Sequence, residues 1–481
     1  MAEDSKGLDP RDRKIAELEA ENQRLRAQNQ RLQARVTDLE RRLAQVLGKL
    51  DEALRAQKRQ AAPFSKGPPK EDPKPRGRKP EEEHGMHAHR PPPDQVDEVI
   101  PVPLPLRCGC GGPVDFDRTA QQFQTEIPRK PIHRRFDIDV GHCRDCGRRV
   151  QGRHPLQTSD ALGAAASQLG PDAQAMTALL KDQVGVSYGD LRTIFRDFFG
   201  IPLSPGGAAR VVLRVAARLE AAYRGILCVT RKSRLLYPDE TGWKVGGRLH
   251  WLWVFVTRTA TLFAIRGSRG HDVLSEILGL GWSGDTTHDG WAPYDFLEEA
   301  RHQQCLGHLI RRAKVLLETA TRGAVRFPRA VLGLLRQGLA LRDRRDRGEI
   351  SPHGLSVATG RLEGRLVRLL DTVPTHPGNL KFAKHLVAHE QEIFPFLHHP
   401  TLEPTGNRAD GAIRPAVANR KVFGGNRDPA GARAQEILLS LVRTAAQRGV
   451  EILGYLSRVL RARPQRRQQL ACRLLGLPPP S

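Results

Sequence analysis

The stretch between residues 235 and 312 allows few folds. Residues 235–239, 251–256 and 261–265 are three apolar, β-branched and aromatic runs of strand length. A Gly246-Gly247 pair separates the first two, which is turn chemistry. Residues 273–280 switch to helical spacing, and residues 285–288 form a short fourth strand ending at Asp289. Another helix and a short strand near Cys305 are expected to follow.

Three antiparallel strands, a helix, a strand and a helix is the order of a ribonuclease-H-like fold. Acids on its first and fourth strands sit side by side. Asp239 and Asp289 each end an apolar or β-branched run here, where a parallel-type sheet presents carboxylates at its working edge. Asp410 follows far downstream, in Gly406-Asn407-Arg408-Ala409-Asp410-Gly411. Carboxylates gathered by a fold can hold two divalent cations, and such a pair can drive attack on phosphate esters. Alone, Asp239 and Asp289 are each better read as turn residues, and Asp289-Gly290 is a common turn dipeptide. Element order is what raises them above that.

The charge balance says which esters. The chain has 481 residues, with 77 Lys and Arg against 53 Asp and Glu, a net +24 and a pI near 10.4. A GC-rich genome accounts for Arg over Lys but not for the excess of cations, and nucleic acid is the expected partner. That length also exceeds one compact core, so several domains are expected. The N-terminus is charged, no apolar run reaches membrane-spanning length, and mean hydropathy is −0.47. These argue against secretion and membrane insertion and for the cytoplasm.

Residues 15–54 read as a parallel, dimerising coiled coil. Leu18, Leu25, Leu32, Leu39 and Val46 fall at d, and Ile15, Asn22, Asn29, Val36, Leu43 and Leu50 at a. The two Asn fix an in-register homodimer. Residues 55–105 are a basic, Pro-rich linker expected to be disordered. Within it Arg76 and Arg78 flank Gly77 between prolines, a sequence able to lie in a narrow minor groove or to serve as plain basic linker.

Residues 106–153 suggest a small zinc-binding β module. Cys108 and Cys110 are followed by Cys143 and Cys146, and alternating residues such as Phe136, Ile138 and Val140 suit short strands between them. Two thiolate pairs on two turns make a tetrahedral Zn²⁺ site. The Cys143-x-x-Cys146 spacing is usual, Cys108-x-Cys110 is one residue short, and His133 or His142 could replace one thiol. Seven cysteines, an odd count with two close pairs, fit metal binding better than disulfides. Residues 155–224 turn helical. Gly185, Ser187, Gly200 and Ser204-Pro205 mark three short helices, read as helix-turn-helix-like or as a helical linker.

Several ordered motifs then point to one family. Asp239-Glu240-Thr241-Gly242-Trp243, Ser268-Arg269-Gly270 and His288-Asp289-Gly290-Trp291 resemble the insertion-sequence sixty-six family of bacterial DDE transposases. So do Cys305-Leu306-Gly307-His308 and Asn407-Arg408-Ala409-Asp410 with Ile413-Arg414-Pro415. The resemblance spans nearly the whole chain. It implies that Asp239, Asp289 and Asp410 are the catalytic acids, holding two Mg²⁺. The family's third acid is a Glu within Asn-x-Ala-Glu, so Asp410 is one methylene short, and Gly411 stands where a larger residue is usual. Glu403 and Glu436 are the nearby substitutes, outside the matched motif.

The resemblance implies a transposase that cleaves transposon ends and joins the 3′-hydroxyl to target DNA. It would sit with the bacterial nucleoid, with accessory transposition proteins as possible partners. The core is expected over 225–312 and 400–428, with a helical insertion over 313–399 and a C-terminal helical tail over 429–473. Arg414, Arg420 and Lys421 are expected to grip DNA phosphates. Cys305 and His308 read as a buried packing pair, and Trp243 and Trp291 as core residues before base-stacking ones. A dimeric DNA-binding regulator, or a catalytically degenerate copy, is the alternative that the front half and Asp410 support. A nuclease that cuts without joining is a weaker third.

Overall fold

The computed structural model describes residues 18–39 apart from 20, residues 95–162 with gaps that include 108–112 and 123–130, and residues 169–479. The chain divides into two units, Met1–Ala88 and His89–Ser481. In the first, residues 21–39 form helix α1, inside the expected coiled coil. Its heptad residues Leu25, Leu32, Val36 and Leu39 all stand exposed. Arg76 and Arg78 lie outside the described residues.

The second unit carries a hairpin of β1 (Val140–His142) and β2 (Arg149–Gln151). Its turn holds Cys143 and Cys146. Gly147 N–H donates to Cys143 O at 2.9 Å, and Gly147 has φ 67°. The backbone N–H groups of Cys146 and then Asp145 hold the Cys143 thiol below its ordinary pKa. Arg107 and Pro113 pair in an antiparallel bridge. Cys108 and Cys110 lie outside the described residues.

Four helices follow: α2 (Pro171–Leu179), α3 (Tyr188–Phe199), α4 (Pro205–Ala217) and α5 (Glu220–Arg231). Their ends obey the sequence. Ser187 Oγ accepts from Asp190 N, Ser204 Oγ accepts from Gly207 N at 3.0 Å, and Gly200 closes α3 in the left-handed region. These helices are not a detached module. Ala175, Val211, Val215 and Ile226 share one core with Trp253 and Phe255 of the sheet.

The sheet comprises β3 (Leu235–Val245), β4 (Arg248–Val256), β5 (Thr261–Arg266), β6 (Asp285–His288) and β7 (Arg301–Gln304), with α6 (His271–Leu278) crossing between β5 and β6. Its order is β5-β4-β3-β6-β7. β3, β4 and β5 are antiparallel neighbours, and β6 and β7 continue parallel to β3. This mixed α/β architecture is compatible with a ribonuclease-H-like core.

Two expectations change. β3 does not end at Asp239. Its alternation continues through Trp243 and Val245, paired with β4 as far as Gly246-Gly247. Both glycines have positive φ, 57° and 77°, which a two-residue hairpin turn requires. Asp239 is therefore an interior strand residue. The helix expected after Asp289 is a single 3-10 turn, Ala292–Phe296.

Alternation splits β3 between two cores. Leu236 faces the core built with α4–α6. Tyr237, Trp243 and Val245 face the other core, which is covered by Ala409, Ile413 and Ala416 of α12 (Asn407–Phe423). That helical stripe lays the Asp410 helix on the face Asp239 shares.

Between β7 and α12 lie α7 (Leu306–Thr319), α8 (Arg326–Asp346), α9 (Pro352–Leu370), α10 (Pro377–Ala388) and the short α11 (Pro395–His398). Leu309, Val331, Leu335, Leu366 and Phe382 give them their own core.

The C-terminal segment is α13 (Pro429–Gln447), α14 (Ile452–Arg461) and α15 (Pro464–Leu474). Read from sequence as a tail, it is part of the core, because α13 closes the sheet edge. Thr444 Oγ1 accepts from Thr261 N at 3.1 Å, Ser440 Oγ from Phe263 N at 2.8 Å, and Glu436 Oε1 from Ile265 N at 2.7 Å. Side chains four apart on a helix thus satisfy alternate amides of an edge strand that would otherwise invite another chain. Among the described residues no helix is long and apolar enough to cross a membrane.

Candidate active site

Asp239 and Asp289 meet through strand register. Leu235 faces Asp285 and Leu236 faces Thr286 in the parallel β3–β6 pair. The same offset carried onward sets Asp239 beside Asp289. Asp410 arrives from the first turn of α12, with its N–H donating to Gly406 O at 3.1 Å. All three are half-buried, and among the described residues none makes an ion pair.

Asp239 carries the electrostatic consequence. Burial first, then the charges of Glu240, Asp410 and Asp289, push its carboxyl up to about 7, against one hydrogen bond from Glu240 N–H at 2.9 Å. Asp289 Oδ1 accepts from Trp291 N at 3.0 Å, which shapes the turn after β6. Gly290 within that turn has φ 78°, and a Cβ there would overlap the Gln304 and His385 side chains. The Asp-Gly dipeptide is thus required by space as well as by turn geometry.

The substitute acids are otherwise engaged. Glu403 Oε1 is held by Arg408 at 2.6 Å. Glu436 is buried and paired with Arg266 and Arg433, both at 2.6 Å, besides capping β5. Asp410 is the carboxylate that remains. Arg414 and Lys421 lie exposed on α12. Arg420 does not: it turns inward and donates to Thr241 Oγ1 at 3.2 Å and to Gly242 O, tying α12 to β3. Trp243 is fully buried, its Nε1–H donating to Asn426 Oδ1 at 2.6 Å.

Sequence reasoning missed the support behind Asp239. The side chain of Glu240 is buried, where Arg269 meets it at 2.7 Å and Tyr294 Oη donates to it at 2.6 Å. The Arg269 guanidinium lies 4.0 Å from the Trp291 ring centroid and 4.7 Å from that of Trp251. The signal was present: an acid beside Asp239 on the opposite strand face needs a buried cation, and Ser268-Arg269-Gly270 was already a motif.

A second donor cluster adjoins the first. Among the described residues, the group of three metal-type donors lying within 4.8 Å of one another is His288, His302 and Glu392. Its hydrogen bonds exhaust the histidines. Gly290 N–H donates to His288 Nδ1 at 3.1 Å, so the proton of the neutral ring is on Nε2. That nitrogen lies 2.8 Å from His302 Nδ1, and His302 Nε2 lies 2.9 Å from Leu297 O. Each ring nitrogen then has a partner. Burial first, then the neighbouring His302, holds His288 well below its ordinary pKa, which keeps the ring neutral. Glu392 accepts from Gln304 Nε2 at 2.6 Å and lies 3.1 Å from His389 Nδ1.

Cys305 and His308 sit beside these clusters. Burial pushes the Cys305 thiol up, but His308 and the N–H of Gly406 pull it lower, and it ends below its ordinary value. His308 is raised, chiefly by Cys305.

Residues 166–434, more than half of the chain, match the transposase IS66 family. The chain belongs to that family. No curated protein matches it. The match takes in the sheet, the helical insertion and all three aspartates, and the chain is accordingly a nucleic-acid-processing protein of transposition. The front helix and the Cys143–Cys146 hairpin of this transposase lie before the matched residues.

Proposed function

We infer that this transposase cleaves the ends of its element and joins the freed 3′-hydroxyl to target DNA, with Asp239, Asp289 and Asp410 as metal ligands. The observation that carries this is the trio itself: carboxylates from β3, the end of β6 and α12 that, among the described residues, have no ion-pair partner, one of them pushed by burial and neighbouring charge to about 7. A divalent cation offsets the burial of the Asp239 carboxylate and the negative charges around it, so the donor set fits Mg²⁺, and its all-oxygen chemistry is that of a hard ion. A pair of such ions supplies charge stabilisation to attacking and leaving oxygens of a phosphate ester. The chain's part is to fix the acids. Glu240, Arg269 and Tyr294 brace β3 behind Asp239, and the Gly290 turn holds Asp289.

The other modules are read as serving DNA. The exposed heptad stripe of α1 suits pairing of two protomers. Cys143 and Cys146 suit one half of a structural Zn²⁺ site with Cys108 and Cys110. Arg76, Arg78, Arg414 and Lys421 suit phosphate contacts, while Arg420 acts on them only through α12. A chain that binds element ends without cutting them is the second reading, and the shorter Asp410 favours it.

The test is cleavage and joining of labelled element ends by the full chain in Mg²⁺, beside Asp239→Asn. Activity that needs Mg²⁺ and Asp239 supports the assignment. Equal activity in both chains would sink it, and binding without cleavage in wild type would favour the second reading.

A further inference from the structure

Asp289 and Asp410 come from segments far apart in sequence, and one residue bonds to the backbone of each segment, at His288 and at Gly406. Cys305 stands between β7 and α7, with φ −64° and ψ 104° at the helix N-cap. Its N–H donates to His288 O at 2.7 Å, the carbonyl immediately before Asp289. Its Sγ accepts from Gly406 N at 3.1 Å, and Gly406 O accepts from Asp410 N at 3.1 Å. A continuous path thus runs from the peptide of Asp289 through Cys305 to the amide of Asp410. The next residue adds a parallel tie, Leu306 N–H donating to Pro404 O at 2.8 Å. Cys305 is 4% exposed, so water does not compete for the bond.

We propose that Cys305 is a positioning residue whose sulfur sets the separation between the second and third acids by holding the N-terminus of α12 against the end of β6. The proposal rests on reading the three aspartates as metal ligands. What the tie needs at this position is a buried acceptor for the Gly406 N–H, which the sulfur supplies and a hydroxyl can also supply. His308, in the first turn of α7, adjoins the same thiol and, against its burial, helps hold it below its ordinary pKa.

Two readouts on the metal-free and metal-loaded full chain test this. Hydrogen exchange without metal reads the tie itself. Cys305→Ala is expected to speed exchange at the Gly406 and Asp410 amides, and Cys305→Ser to restore most of the protection. The Mg²⁺-induced rise in melting temperature reads the acids. Its midpoint is expected to move roughly ten- to a hundredfold higher in Cys305→Ala and to stay near wild type in Cys305→Ser. Cys305→Val, similar in volume but without an acceptor, replaces the alanine variant if that chain does not fold. Unchanged exchange at 406–410 in the alanine or valine chain overturns the tie. Faster exchange with an unchanged Mg²⁺ midpoint overturns its role in placing the acids. A wild-type chain with no Mg²⁺ response, alike with Asp239→Asn, instead removes the metal reading while the exchange result stands by itself.

Discussion

Residues 288 and 289 are neighbours in the chain and belong to opposite kinds of donor cluster. His288 joins His302 and Glu392 in a group within 4.8 Å. Asp289 joins Asp239 and Asp410, which stand further apart. On distance alone the histidine group is the better metal site. On hydrogen bonding it is the poorer one, because its ring nitrogens are committed to Gly290, to each other and to Leu297. Among the aspartates, Asp239 is left uncompensated: burial first, then the charges of Glu240, Asp410 and Asp289, raise it. A buried group satisfied by its neighbours stabilises a loop, whereas one left unsatisfied is available to a ligand.

The largest effect should separate the clusters by activity. Asp239→Asn or Asp289→Asn is expected to lower Mg²⁺-dependent end cleavage about a thousandfold or more, since several kcal/mol of charge stabilisation are lost. His302→Leu should lower it less than about tenfold. A histidine variant as inactive as the aspartate ones would reverse the assignment.

Stability against pH should separate them by sign. The folded pKa of Asp239 is about 7 against an ordinary 3.8, so the folded chain holds a proton the unfolded chain releases. The contribution is fully present below about pH 4 and is lost as pH rises through 7. Metal-free Asp239→Asn should therefore exceed wild type at pH 8, by up to about 4 kcal/mol, with the gain shrinking toward pH 4. His385, beside the histidine cluster, runs the other way. Burial first, then Arg312 and His389, lowers it from 6.5 to about 4. Its contribution is present above 6.5 and lost as pH falls toward 4. Urea unfolding in EDTA across this range measures both slopes, and parallel curves for wild type and Asp239→Asn would contradict the first.

The two clusters were not equally legible in the sequence. Strand runs, the Gly246-Gly247 turn and the Asp-Gly turn are local chemistry, so Asp239 and Asp289 could be singled out in order. The α12 stripe of Ala409, Ile413 and Ala416 is also periodic, but which sheet face it covers is a tertiary fact. The fates of Glu403, Glu436 and Arg420 were invisible for the same reason: each is decided by a partner distant in sequence or by which way a half-buried side chain turns. The histidine group was hidden, because His302 on β7 reaches His288 only when β6 and β7 pair, and Glu392 joins them only when the distant insertion packs there. Reading residues 429–473 as a tail failed because Glu436, Ser440 and Thr444 look like an ordinary polar face until an edge strand lies against them.

The third acid gives a smaller, sharper test. Asp410 begins a helix whose position is fixed by its stripe and by Gly406, so reach is the remaining variable. Asp410→Glu is expected to raise the cleavage rate about ten- to a hundredfold, as a carboxylate about an ångström nearer the other two allows. Asp410→Ala should abolish what activity there is. If glutamate lowers the rate, the helix is already placed for the shorter side chain.

The smallest effect tests the satisfied cluster. His302→Leu removes the acceptor for His288 Nε2–H and leaves that donor buried without a partner, which costs about 1–3 kcal/mol. Its melting temperature should fall by several degrees in EDTA and by the same amount in Zn²⁺. A Zn²⁺-dependent gain shared by both chains arises outside the histidine group. A gain present in wild type and lost in His302→Leu would make the histidine group a metal site after all, and would require that Gly290 N–H release His288 Nδ1 when the ion binds. Because Gly290 also shapes the Asp289 turn, such a release would move the second acid, and Mg²⁺-dependent cleavage would then fall as Zn²⁺ was added.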